Sequence, residues 1–230
     1  MKTIGLLGGM SWESSADYYR IINTLVKERL GEPHSAKCLL YSVDFAEVAA
    51  LMHAGRWDDL GQMLAAAAER LELGGADLLV VCSNTVHLTA AVIEKKIGIP
   101  LLHITDGAAT KIKAAGLSRV GLLGTSFTME HAFYKDRLAA HGIQTLIPDA
   151  DDRKVLQSII FDELTQGVVN VASQAKCLAI INKLAAAGAE GVILGCTELP
   201  MLISQADSNL PLFDTTQIHA EWAVEEALRP

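Results

Sequence analysis

The chain has 230 residues, half of them hydrophobic and only 5% aromatic, with a formal net charge of −8. That length suits one large domain or two small ones, and aliphatic residues must fill the core. The basic residues are scattered, which excludes the clustered footprint that nucleic acid or an anionic membrane needs. A small anionic substrate stays open, because backbone N–H groups at helix starts hold anions whatever the global charge.

The N-terminus runs straight into a strand-like segment at 4–7 that ends on Gly8-Gly9, with no signal-peptide pattern, so a cytoplasmic location is expected. Further strand-like runs follow at 39–43, 78–82, 101–104, 120–123, 143–147, 192–194 and 210–213. Between them lie helical patterns, such as Ile21, Ile22, Leu25 and Val26, then Leu60, Leu64, Ala68 and Leu71, and a helix over 90–96. No apolar run is long enough to span a bilayer. Strand–helix alternation predicts an α/β fold with parallel sheets and crossover helices.

An internal repeat divides the chain. Ile4-Gly5-Leu6-Leu7-Gly8 returns as Val120-Gly121-Leu122-Leu123-Gly124. Gly75-Ala76-Asp77, an apolar run and then Ser83-Asn84-Thr85 return as Gly188-Ala189-Glu190, an apolar run and then Cys196-Thr197-Glu198. Ile99-Pro100-Leu101-Leu102 returns as Leu210-Pro211-Leu212-Phe213. The three matches keep one order and nearly constant offsets of 116, 113 and 111 residues. The repeat predicts two pseudo-twofold-related, flavodoxin-like parallel-sheet domains with the active site between them. The first is expected to hold residues 1–98 plus 210–230 and the second 99–209. Ligands of open parallel sheets bind beyond the strands' carboxyl ends. The loops at 8–14, 83–87, 124–129 and 196–200 are therefore expected to line one cleft.

The repeat aligns Ser83 with Cys196, each where a strand ends and a helix begins. A helix N-terminus favours anions and lowers a cysteine pKa. Such a thiol can accept a proton near neutrality, whereas a serine hydroxyl needs another base to activate it. Each position also has a plainer role: Ser83 as a helix N-cap, Cys196 as a packed thiol. Cys82, next to Ser83, should point to the opposite face of its strand and into the core. Cys38 and Cys177 read as buried hydrophobes, and no two cysteines form a C-x-x-C pair. Gly5-x-x-Gly8-Gly9 is not G-x-G-x-x-G, so a nucleotide site is not indicated. His87 reads as structural.

Five stretches resemble the aspartate/glutamate racemase superfamily, most closely its bacterial amino-acid racemase branch. They are Gly8-Gly9-Met10-Ser11-Trp12-Glu13-Ser14, Ser42-Val43-Asp44-Phe45, Ser83-Asn84-Thr85-Val86-His87, Leu123-Gly124-Thr125-Ser126-Phe127-Thr128-Met129 and Gly195-Cys196-Thr197-Glu198. The resemblance implies a racemase of acidic amino acids that uses no cofactor. One thiol removes the α-proton and a second returns a proton to the opposite face. The family places the first thiol before Asn-Thr, where this chain has Ser83, and the second before Thr-Glu, where it has Cys196. The resemblance therefore implies an L-preferring enzyme that deprotonates through Cys196 and returns the proton slowly through Ser83 or a water.

Asn84, Thr85 and Thr197 are expected to hold the substrate carboxylate and Glu163 its ammonium. Met10, Met52 and Thr125 are expected to line the site. No metal is expected. The partner is a small amino-acid substrate, with a homodimer as a family-level expectation. Two other uses of a single thiol stay open: a maleate isomerase or arylmalonate-type decarboxylase, and a binding protein that has lost turnover.

Overall fold

A computed structural model describes residues 1–229. Two compact units emerge, one of residues 1–104 and 216–230 and the other of 105–215. Each is a four-stranded parallel sheet with flanking helices. The first carries β1 (Ile4–Gly8), β2 (Cys38–Ser42), β3 (Leu78–Val81) and β4 (Leu101–Leu102) in the order β2-β1-β3-β4. The second carries β5 (Arg119–Gly124), β6 (Gln144–Leu146), β7 (Gly191–Gly195) and β8 (Leu212–Asp214) in the order β6-β5-β7-β8. The duplicated order is the one the repeat predicts.

The switch between units falls later than the boundaries read from sequence. β4 pairs with β3, Leu79 opposite Leu101, so 99–104 belong to the first unit. β8 pairs with β7, Val192 opposite Leu212, so 210–215 belong to the second. The reason is the short fourth strand: each sheet completes its edge before the chain leaves.

The repeat's shared residues do folding work. Gly75 and Gly188 both hold φ of 96°, the left-handed region that suits glycine. Each turns the chain from a long helix into the central strand. Asp77 accepts the Thr3 N–H at 2.6 Å, and Glu190 accepts the Ser118 and Arg119 N–H groups at 2.8 and 2.9 Å. Leu79 N–H donates to Pro100 O and Val192 N–H to Pro211 O, both at 2.8 Å. These bonds seal the N-terminal edge of each sheet, where proline's missing N–H costs nothing.

β1, β3 and β7 are buried along their whole length, as the central strands of covered parallel sheets are. Helix α1 (Trp12–Leu30) turns Tyr18, Ile22 and Val26 inward at a spacing of one helical face. They meet Ile4, Leu6 and Val80, and also Ala220, Ala223 and Val224 of the C-terminal helix Thr215–Leu228. Each full burial of such an aliphatic side chain is worth about 1.5–3 kcal/mol. Among the described residues, no helix is long and apolar enough to cross a membrane.

Candidate active site

In the first unit the polar residues gather where β1 and β3 end. These strands pair side by side, Leu7 opposite Val81. Ser83, Asn84 and Thr85 are all buried, as is Met10 in the loop after β1. That loop turns at Gly9, whose φ is 92° and whose missing Cβ would lie 2.2 Å from Val43 O. The Gly9 N–H donates to Ser15 Oγ at 2.8 Å, tying the loop to α1. Met52 is buried near the end of the helix Phe45–His53.

Ser83 is not the N-cap of a regular helix. A 3-10 turn, Thr85–Thr89, follows it, then a short helix, Ala90–Glu94, where the sequence predicts one helix over 90–96. The Ser83 N–H bonds Val81 O at 2.9 Å, and its carbonyl meets His87 Nδ1 at 2.7 Å. Cys82 points the other way, into the core with Tyr18, Val80 and Leu102. Full burial drives its thiol far above the ordinary range, with Cys38 adding to the effect. It is a core thiol, which leaves Ser83 as the residue at this strand end.

In the second unit β5 and β7 pair with Gly124 opposite Gly195. The next residues, Thr125 and Cys196, therefore leave the sheet side by side. Thr125 Oγ1 caps the helix Ser126–Glu130 by accepting the Thr128 N–H at 3.3 Å. Cys196 is buried, and its Sγ–H donates to Glu198 Oε2 at 2.9 Å. Thr197 Oγ1–H donates to the same oxygen at 2.8 Å. One carboxylate oxygen thus collects a thiol and a hydroxyl.

This environment corrects an expectation. A helix start was expected to lower the Cys196 pKa, but the helix that follows, Leu199–Leu202, is a single turn. Burial raises the thiol well above its ordinary value, and the Glu198 charge and hydrogen bond raise it further. Backbone N–H groups of Glu198 and Thr197 pull the other way and lose. The resting group is a neutral thiol aimed at a carboxylate.

Glu163 ends a π-helical turn, Ile159–Glu163, rather than a regular helix. Its Oε1 accepts from Ser173 Oγ at 2.8 Å, while the buried Oε2 has no hydrogen-bond partner. Burial, then the Glu163 charge, push the nearby Cys177 thiol up to about 12. Ser173 lies near the start of the helix Val171–Ala186, whose Gln174 Nε2 donates to Leu202 O at 2.9 Å. The segment bearing Glu163 is thereby tied to the turn that follows Cys196. Among the described residues, no three His, Cys, Asp or Glu side chains cluster as metal ligands do.

Three residues gain a place that sequence alone did not give them. Glu198 was visible two positions after Cys196, but its contact with the thiol needs the fold. Ser173 lies ten residues past Glu163, beyond the 3-10 turn Leu164–Gln166, and carries no motif. His87 sits in the Asn-Thr stretch and turns out to hold the Ser83 carbonyl.

A duplicated parallel α/β scaffold with polar and acidic side chains at the carboxyl ends of its central strands has the arrangement in which open parallel sheets bind small ligands. The chain belongs to the Asp/Glu/hydantoin racemase family, whose model matches residues 7–223. A candidate Asp/Glu racemase from Yersinia pestis shares 48% identity, with both chains fully covered and a TM-score of 0.95. An aspartate racemase homologue from Pyrococcus horikoshii shares 33% identity, again over the whole of both chains, with a TM-score of 0.89. The broad specificity amino-acid racemase RacX of Bacillus subtilis is 24% identical over 171 residues, 74% of either chain.

Proposed function

We propose that the protein is a cytoplasmic racemase of acidic amino acids, aspartate or glutamate, that prefers the L-form and works without pyridoxal phosphate. The observation that carries this is the Cys196–Glu198 pair: a buried thiol whose proton already has an acceptor. As L-substrate gives its α-proton to Sγ, the thiol's own proton passes to Glu198 Oε2. One C–H bond breaks, one S–H bond forms and one passes on as O–H. The electron pair stays on the substrate as an enolate-like carbanion. Asn84, Thr85 and Thr197 are assigned to the carboxylate, where fixed donors stabilise the charge that develops. Glu163 Oε2, buried and without a partner, is assigned to the ammonium. Met10, Met52 and Thr125 are assigned to the walls.

A proton then returns to the opposite face from Ser83 or a water it holds: that O–H bond breaks as the new C–H bond forms, solvent reprotonates the oxygen left behind, and Glu198 gives its proton back to solvent. A hydroxyl is a poor donor and a poorer base than a thiol, so traffic from that side is slow. The L-preference follows. The family resemblance supports the substrate class, and the side-chain chemistry supports the direction. A homodimer accompanies this proposal.

The test is solvent exchange. L-Asp or L-Glu in D₂O should lose its α-proton signal in the NMR spectrum faster than the D-form does, and Cys196→Ser should abolish the loss. No exchange from either enantiomer, with tight binding of both, would favour a binding protein. Carbon dioxide release from a substituted malonate would favour the single-thiol decarboxylase.

A further inference from the structure

Three buried histidines, His87, His103 and His219, lie together in the first unit beside the Ser83 turn. The His87 ring lies 4.6 Å from that of His103 and 5.8 Å from that of His219. Their hydrogen bonds fix where the protons are. The Ile104 N–H donates to His87 Nε2 at 3.2 Å, and an amide N–H can only donate. His87 Nδ1 lies 2.7 Å from Ser83 O, and a carbonyl can only accept. The partners therefore assign a neutral ring with its proton on Nδ1. By the same logic His219 Nε2–H donates to Leu102 O at 2.7 Å, and its Nδ1 accepts the Tyr18 O–H at 2.9 Å.

The two rings thus grip residues 102 and 104 from either side of His103, at the end of β4. His87 passes that hold on to Ser83. This matters because β3 ends at Val81, and the ladder with β1 stops there. Beyond it the Ser83 N–H is tied back to Val81 O in a tight turn, and the Ser83 carbonyl is tied to His87. Backbone anchors at both ends fix the direction of Cα–Cβ, and so the place of Oγ. Both ring nitrogens are committed to backbone groups, so His87 is not the base that activates Ser83.

We propose, resting on the racemase function above, that His87 is a positioning residue for Ser83: its Nδ1–H tautomer holds the strand-end carbonyl so that the side chain at position 83 meets the substrate's α-carbon. Proton traffic from the Ser83 side depends on this bond, and traffic through Cys196 does not.

The test compares His87→Phe, which keeps a ring and loses both hydrogen bonds, with His87→Asn, which keeps a donor near the Nδ1 position. α-Proton exchange in D₂O is followed for both enantiomers, in the natural protein and in a Ser83→Cys background where the D-side runs faster. His87→Phe should cut D-exchange about 10- to 100-fold, the loss typical of a reacting group displaced by about 1 Å, and spare L-exchange. His87→Asn should restore most of the D-rate. A second readout is the ¹⁵N spectrum of histidine-labelled protein, which should show His87 protonated on Nδ1 only. Equal losses for both enantiomers, or a ring protonated on Nε2, overturns the proposal. Exchange absent from both enantiomers in the natural protein overturns the racemase function instead, and the nitrogen spectrum then still decides whether the clamp exists.

Discussion

Replacing Glu198 by Gln should slow the enzyme while making its thiol more reactive. In the resting protein Glu198 Oε2 stands 2.9 Å from Cys196 Sγ and takes its hydrogen bond. Gln keeps the shape but cannot take up a proton. Loss of a positioned proton acceptor costs about 10²- to 10⁴-fold in rate, or about 2.7–5.4 kcal/mol at 1.36 kcal/mol per decade. L-Asp or L-Glu exchange in D₂O should fall by that factor. The same change removes a negative charge that holds the thiol up, second only to burial. The Cys196 pKa must therefore fall, the thiolate fraction rise, and iodoacetamide label Cys196 faster at neutral pH. A variant that merely misfolds would label all four cysteines faster, and mass mapping of the labelled peptides separates the cases. Unchanged exchange, or slower labelling of Cys196, would refute the role given to Glu198.

Ser83→Cys should raise exchange from D-substrate about 10²-fold, because even a thiol raised by burial gives up its proton far more readily than a hydroxyl and is the better proton carrier. An unchanged D-rate would mean that position 83 does not face the substrate. Tyr18→Phe removes a buried O–H that donates to His219 Nδ1 at 2.9 Å. It should cost about 1–3 kcal/mol, and with a melting point that moves about 2–4 °C per kcal/mol at this size a thermal scan reads the loss directly; an unshifted midpoint would refute the stabilising role of the Tyr18–His219 bond. In the native protein burial holds Cys38 up to about 11 and Cys177, with help from Glu163, up to about 12. Since only the thiolate reacts, Cys38 labelling should climb about tenfold per pH unit between 7 and 10. A plateau below pH 9 would show a much lower pKa.

Much of the scaffold was legible because it rests on local rules. All eight strand-like runs are strands, and alternation with helices gave the parallel order. The repeat was legible for a deeper reason: Gly75 with Gly188, Asp77 with Glu190 and Pro100 with Pro211 do the same backbone work in each sheet. The unit boundaries slipped because a two-residue strand such as β4 is set by its pairing with β3, which no window of sequence displays. Within the site, Ser83 and Cys196 stood out by alignment with one another. The state of Cys196 did not, since a motif reports which residues follow a thiol and not how deeply the fold buries it. The Glu163–Ser173 bond was invisible because the chain between them leaves the 3.6-residue period on which helical reasoning relies, running through the 3-10 turn Leu164–Gln166 and a left-handed Gly167.

At the carboxyl ends of the central strands, where the substrate site is proposed, the two halves part ways. At the N-terminal edge of the sheets the matched residues make matched bonds, since both units face the same problem of sealing a parallel sheet. At the carboxyl ends the same topological position is served in two ways. After β7 the side chain itself is engaged: the Cys196 thiol donates to a carboxylate two residues on. After β3 the backbone is engaged: a histidine four residues on takes hold of the Ser83 carbonyl. A carboxylate beside a thiol changes what that atom can do with a proton, whereas a clamp on a carbonyl changes only where the hydroxyl sits. The inequality between Ser83 and Cys196 therefore extends past the two atoms into their supports. Restoring a thiol at position 83 supplies a second acceptor without supplying a second Glu198, so the Ser83→Cys protein should remain faster from the L-side than from the D-side.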